Sequence, residues 1–231
     1  MSGTPSVSLI CFDLVGLVIE GSVVERAFGE AIATQGIVSG TQSYTRAMVR
    51  FDRARGSSPA DVMRELFEED DVQAAVATLA FDRSFRAAAE RFAIAASPAF
   101  AAVAGKFSET GVRACLVTTL SRGACGPLAH QMRQQRLADL VLFADDAPRG
   151  YPWPDLVLAA MLRAGVGDAG TVAMVSATES GVQCGHRAGA GIVVGIADGP
   201  RRALELREAG ATYVVDGIGA VPEVVLSSGT G

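Results

Sequence analysis

The sequence predicts an α/β protein, a doubly wound parallel sheet that carries an inserted α-helical domain. Three observations predict it. A continuous apolar run rich in β-branched residues begins at Val7 and ends in one carboxylate, Asp13. Residues 21–96 then contain no β-rich run and read as helix. From Ser97 onward, short β-forming runs alternate with helical patterns, as βαβ units in a parallel sheet require.

The first strand is the apolar run itself. Its β-branched residues, and the glycine that follows, suit a strand buried on both faces. Asp13 closes it, at the end of a strand where open α/β sheets bind ligands. A helical pattern follows at 22–35 and is closed by Gly36. Further helices are expected at 43–53, 59–68 and 72–95. Arg55-Gly56-Ser57-Ser58 breaks the pattern, and Ser58 before Pro59 fits an N-cap with a first-turn proline. Residues 21–96 are therefore read as an inserted helical domain, and 1–20 with 97–231 as the core domain. In the core, helices at 98–109, 122–135, 154–164, 182–188 and 200–208 alternate with strands at 114–118, 140–144, 171–175, 192–196 and 213–215. The tail, 227–231, is expected to fray. No internal repeat is visible.

Composition narrows the function classes. The chain has 231 residues, enough for one sizeable core with an insert. Its formal charge is −5, its isoelectric point about 5.1, and it has no basic run. Nucleic acid and anionic membranes are thereby disfavoured as partners. A hydrophobic content of 49% and a mean hydropathy of +0.31 point to efficient burial and leave room for a homodimer interface. No apolar stretch reaches the roughly 18 residues needed to span a bilayer. The opening MSGTPSVS lacks the positive charge of a signal peptide, so a cytoplasmic location is expected. Cys11, Cys115, Cys125 and Cys184 show no paired spacing and read as buried free thiols. Lys106 is the only lysine. Any mechanism that needs a lysine must use it or do without.

A strand ending in Asp, a helical insert and an alternating remainder together resemble the haloacid dehalogenase superfamily. Two stretches are similar to its phosphonatase-like (phosphonoacetaldehyde hydrolase-like) members. One is APRGYPWPDLVLAAMLRAGV with the following VAMVSATESGVQCGHRAGAGIVVGI, and the other is LREAGATYVVDGIGAVPEVV. The likeness covers nearly the whole chain, most clearly 112–225. It implies a Rossmann-like core with a cap.

The resemblance also implies positions for the chemistry, and most of them hold altered residues. The family's first motif, Asp-x-Asp-Gly-Thr or Asp-x-Ala-Gly-Thr, supplies the nucleophile that attacks phosphorus and binds Mg²⁺. Here it reads Asp13-Leu14-Val15-Gly16-Leu17. The nucleophile position is kept, Val15 stands at the general acid/base, and Leu17 lacks the hydroxyl. Thr118 keeps the second motif, which hydrogen-bonds the transferring phosphoryl group. The third motif's Lys or Arg before Pro becomes Tyr151 before Pro152, and a phenol carries no positive charge at neutral pH. Arg149 lies two residues away. The fourth motif, Gly-Asp-x-x-x-Asp, becomes Ser176-Ala177-Thr178-Glu179-Ser180-Gly181, without either acid. Magnesium prefers near-octahedral oxygen ligation, with carboxylates among the donors. Asp13 alone is a poor site, so no metal ligand and no cofactor are assigned, although Glu179 is long enough to substitute in part. The phosphonatase cap lysine aligns with Pro59, which excludes Schiff-base phosphonoacetaldehyde hydrolysis.

Asp13 and Thr118 are therefore the candidate catalytic residues. The candidate substrate-binding residues are Tyr151, Trp153, Arg46, Arg50, Arg55 and Glu179. Tyr151 and Trp153 flank Pro152 at the expected rim, where aromatic surface suits an apolar or planar ligand. Arg46, Arg50, Arg53 and Arg55 recur at helical spacings in the cap. A solvated face is their default, and turned to the cleft they would bind an anion without metal.

Three functions stand open. The chain is a repurposed haloacid dehalogenase-like protein that runs metal-independent chemistry on, or binds, a small organic molecule, as in a biosynthetic pathway. Alternatively it is a non-catalytic binding or scaffold protein. The third reading is a phosphatase with displaced motifs. Phosphoryl transfer relies on positioning and on charge neutralisation by metal and cations. Each such group is worth about 10²–10³ in rate, which favours the first reading over the third.

Overall fold

The structure is a computed structural model that describes residues 7–227. Six parallel strands form one sheet in the order β3-β2-β1-β4-β5-β6. They are β1 (Leu9–Asp13), β2 (Arg113–Val117), β3 (Leu140–Leu142), β4 (Val172–Ser176), β5 (Ile192–Ile196) and β6 (Tyr213–Val215). β1 is central and every one of its residues is buried, as its uninterrupted apolar sequence requires.

Side-chain alternation along β1 sorts the helices into two layers. Ile10 and Phe12 face α5 (Pro98–Glu109), where Phe12 meets Phe100 and Phe107 edge-on at 5.3 and 5.9 Å between ring centroids. The same apolar cluster takes in α6 (Arg122–Gln134) and α10 (Val221–Ser227). Leu9 and Cys11 face the other way, onto α7 (Asp155–Ala164) and α8 (Glu179–Arg187). The last crossover helix, α9 (Pro200–Glu208), buries Leu206 against Val193 of β5. By period-2 alternation Asp13 belongs with Leu9 and Cys11, on the face packed by α7 and α8.

Between β1 and α5 the chain forms four helices: α1 (Gly21–Ala33), α2 (Gln42–Arg53), α3 (Pro59–Leu66) and α4 (Asp71–Arg91). Thr41, Ser58 and Asp70 cap the last three of these with side-chain oxygens, as their residue types favour. Val24, Phe28, Phe81 and Phe85 of the insert share one buried cluster with Ile10 and Phe12 of the sheet.

Several boundaries differ from the sequence expectation. β3 stops at Leu142, and Ala144–Asp146 turns as a 3-10 helix because Asp146 accepts from the Phe143 N–H and from Arg122 and Arg163. The helix expected to reach residue 95 ends at Arg91, and Ala93 has φ +45°. α8 starts at Glu179, three residues early, capped by Thr178 accepting from the Gly181 N–H. α10 was not anticipated, being too short to show a period, and it is held by burial of Val221 and Val225. It includes Ser227, and the rest of the tail expected to fray lies outside the described residues. All four cysteines are free and buried. Among the described residues no helix is long and apolar enough to cross a membrane.

Candidate active site

From β1 the chain winds outward to β3 on one side and to β6 on the other, so the strand order reverses at the β1–β4 pair. At such a reversal the loops diverge and leave a crevice beyond the carboxyl ends of the strands. Asp13 ends β1 and Ser176 ends β4, one step past the paired residues Phe12 and Val175. After β1 the backbone turns tightly, with the Gly16 N–H bonded to Ile19 O and the Ile19 N–H to Leu14 O. Gly16 has φ +91°, and a Cβ there would stand 3.0 Å from that of Ala177. Glycine is needed both for the conformation and for the approach of the β4 loop.

Asp13 is 2% exposed. Ser176 Oγ donates to its Oδ2 at 2.8 Å and Thr178 Oγ1 donates to the same oxygen at 3.5 Å. Burial pushes the Asp13 carboxyl up to about 7, against the opposing pull of Ser176, the Val15 N–H and Thr178. Desolvation therefore outweighs three hydrogen bonds, and near neutral pH the group is divided between acid and carboxylate. Ser176 Oγ also accepts from the Thr178 N–H at 3.0 Å. Gly181 closes this side, because a Cβ on it would press on Ser176 Oγ and lie 2.9 Å from Asp13 Oδ2.

Tyr151 is buried among Cys11, Cys115, Val117, Leu156 and Cys184. Its hydroxyl is a fully buried side-chain oxygen with no hydrogen-bond partner. Burial holds its ionisation well above the usual phenol value, and the Asp13 charge adds to the effect. Thr118 is also fully buried, and its Oγ1 accepts from the Leu120 N–H at 3.1 Å. Trp153 is 46% exposed and lies between two guanidinium groups, Arg149 at 4.4 Å and Arg187 at 5.4 Å from its ring. Arg149 is also paired bidentately with Asp155, at 3.0 and 2.8 Å.

The inserted helices touch the strand ends through polar contacts. Thr119 Oγ1 donates to Gly56 O at 3.0 Å, and Ser180 Oγ donates to Arg55 O at 2.8 Å. Ser121 Oγ donates to Asp82 of α4 at 2.7 Å, and Arg86 of α4 donates to Gly123 O at 2.9 Å. Burial raises the Asp82 carboxyl despite the Ser121 hydroxyl, with Asp145 adding to the rise. The loop 55–58 thus sits directly on the residues that follow β2 and β4.

The candidate residues are only partly gathered by this geometry. Asp13, Thr118 and Tyr151 share the strand ends. Arg46 and Arg50 do not face Asp13. With Arg53 they line a groove of about 790 Å³ inside the insert, together with Ile37, Glu65 and Leu66. The reason is helix periodicity, since positions 46, 50 and 53 share one exposed flank of α2, beside the line on which Ala47 is buried. The Arg55 side chain is turned to Asp52 at 2.6 Å, and only its carbonyl meets the core. Glu179 is turned outward to Arg202 at 2.8 Å. The donors to Asp13, Ser176 and Thr178, were not singled out in the sequence. The signal for them was the hydroxyl-rich run Ser176-Ala177-Thr178-Glu179-Ser180 at the position of the fourth motif.

The resemblance implies magnesium at Asp13, so its neighbours decide whether the ion would fit. They are the Ser176 and Thr178 hydroxyls, the Val15 N–H and Gly181. Among the described residues there is no cluster of three or more His, Cys, Asp and Glu side chains suited to a metal ion.

No protein-family model and no curated protein sequence matches the chain. Solved structures do match. A phosphonoacetaldehyde hydrolase-like protein from Oleispira antarctica superposes with a TM-score of 0.80 at 19% identity, covering 99% of this chain and 95% of its own. A hydrolase from Pseudomonas syringae gives 0.75 at 20% identity, over 94% of this chain and 97% of its own. CbbY from Rhodobacter sphaeroides, in complex with phosphate, gives 0.73 at 19% identity, over 96% and 99% respectively. The chain has the fold of the haloacid dehalogenase-like hydrolases, with Asp13 at the centre of its candidate site.

Proposed function

We propose that this protein uses the haloacid dehalogenase-like fold for metal-independent acid–base chemistry on a small organic molecule, with Asp13 as the proton-transferring group. The observation that carries this reading is the set of groups around Asp13. Ser176 and Thr178 donate to it, and the packing at Gly181 leaves no room for a side chain. Ser176 Oγ, already giving and receiving hydrogen bonds, is a poor additional ligand. These residues do not fit a magnesium site, which needs anionic oxygens and ordered water. A carboxyl poised near neutrality is suited to general acid–base work instead. The inserted helices would act as the cap that excludes water from it.

The test is an assay of phosphate release from a generic aryl phosphate with Mg²⁺ present. Wild-type protein is expected to match the Asp13→Asn variant. Mg²⁺-dependent release that vanishes in Asp13→Asn would restore the phosphatase reading. A carbon-13 titration of the Asp13 carboxyl should give a midpoint near 7.

A further inference from the structure

We propose that the groove between α2 and α3 is a second ligand site, which binds a small organic dicarboxylate with an apolar body. The site is separate from Asp13 and would hold its ligand whatever chemistry Asp13 performs.

The groove holds about 790 Å³, within the roughly 300–1,000 Å³ that small-molecule sites occupy. Every residue lining it lies between positions 37 and 66, so neither the sheet nor the loops beyond its strands contribute. Ile37, Ala54 and Leu66 give it an apolar lining and also pack against the main core. Val49, 46% exposed, adds a further apolar side chain. A lining tied to the core keeps its shape and offers the ligand apolar surface to bury.

Charge selects the ligand. Arg46, Arg50 and Arg53 line the same groove, against one acid, Glu65. Spaced by four and three residues, they share one flank of α2 over about 10 Å of helix axis. Like charges at these spacings destabilise a helix. The one acid of α2, Asp52, does not offset them, because it is paired with Arg55. The helix dipole favours Arg50 and Arg53 in the last turn, but Arg46 lies about two turns before the helix end.

Two of the three guanidiniums are available. Arg50 donates to Glu65 O and stands 3.8 Å from the exposed Glu68. Arg46 and Arg53 have no hydrogen-bond, ion-pair or ring partner among the described residues. A guanidinium fork pairs bidentately with a carboxylate, one charge against one. Two free forks on one wall therefore match two carboxylates, with the apolar body between them on the groove lining. The chain as a whole carries −5. A long polyanion reaching past the groove would meet that repulsion, whereas a small dianion meets only the local positive charge.

The test is titration calorimetry of the full-length protein at low ionic strength, with biphenyl-4,4′-dicarboxylate as the probe. Biphenyl-4-carboxylate, the neutral biphenyl-4,4′-dimethanol and inorganic phosphate are the comparisons. The dicarboxylate should bind at least tenfold more tightly than each of them, and added salt should weaken it. Arg46→Gln and Arg53→Gln should each weaken it by about tenfold, the loss of one charge-assisted pair, while remaining folded by thermal unfolding. Arg83→Gln, at an exposed position of α4, and Asp13→Asn should bind it as wild type does. Absence of binding, a diol or phosphate bound as tightly as the dicarboxylate, or α2 variants indistinguishable from wild type would each overturn the proposal. Loss of binding in Asp13→Asn would overturn it too, by placing the ligand at the strand ends. The readout is affinity, so failure here leaves the acid–base reading of Asp13 intact, and failure of that reading leaves this site intact.

Discussion

Ser176 Oγ donates to Asp13 Oδ2 at 2.8 Å, joining the last residues of two neighbouring parallel strands, β1 and β4. The bond satisfies a carboxyl that is 2% exposed, yet it does not bring that carboxyl down to its ordinary range. Desolvation of the anion is larger than what one hydroxyl donor returns. The site therefore stores a group that charges only reluctantly.

Stability should fall as pH rises through the Asp13 titration. The folded-state value, about 7, lies above the ordinary carboxyl value of 3.8. Between these values the native state binds more protons than the unfolded chain, so unfolding free energy decreases with pH. The contribution is intact below about pH 4 and is lost by about pH 7–8. Asp13→Asn should flatten this dependence and stabilise the protein at pH 8 by about 1–3 kcal/mol. Urea unfolding of both proteins at pH 5 and pH 8 measures it, and parallel pH dependences would contradict the assignment.

Tyr151→Phe should leave stability unchanged or raise it by about 0.5–2 kcal/mol, because it removes a buried oxygen that has no partner. Thermal unfolding reports the sign. A clear loss of stability would mean that the hydroxyl makes a structural bond after all.

Gly181→Asp should destabilise the fold by about 2–4 kcal/mol, since even a Cβ would come within 2.8 Å of that of Ser176 and 2.9 Å of Asp13 Oδ2. Ser176→Gly, made in the same chain, should recover much of that loss. A double-mutant cycle by denaturant unfolding gives the coupling, and simple additivity would show that the two positions do not compete for space.

Removing the Thr119 and Ser180 hydroxyls should loosen the 55–58 loop without unfolding the core. Thr119→Val and Ser180→Ala break the bonds to Gly56 O and Arg55 O. Each should lower global stability by only about 0.5–1.5 kcal/mol. Amide hydrogen exchange at residues 55–58 should accelerate while β1 and β4 stay protected. Unchanged exchange in the loop would show that other contacts hold it.

Much of the fold was legible because each element carries a local signal. The apolar run before Asp13 can be satisfied only by burial on both faces, and the helices at 98–109 and 200–208 begin at prolines and lie where their patterns place them. The candidate site was legible in part. Asp13 could be found at a strand end, whereas Ser176 and Thr178 are separated from it by 163 and 165 residues and show no pairing in the sequence. The arginines of α2 show why spacing alone misleads. Their helical recurrence placed 46, 50 and 53 on one face, but not which surface that face would meet.

By itself the sequence determined the parallel α/β architecture, the helical insert and the position of Asp13, because periodicity, capping and apolar runs are local properties of the chain. Only the tertiary structure decided what surrounds Asp13. The pairing of β1 with β4 brings the Ser176 hydroxyl to the carboxyl, the packing on the α7–α8 face buries Tyr151 without a partner, and the resulting exclusion of water raises Asp13 to about 7. Desolvation depends on everything packed around a group, and no local pattern encodes it.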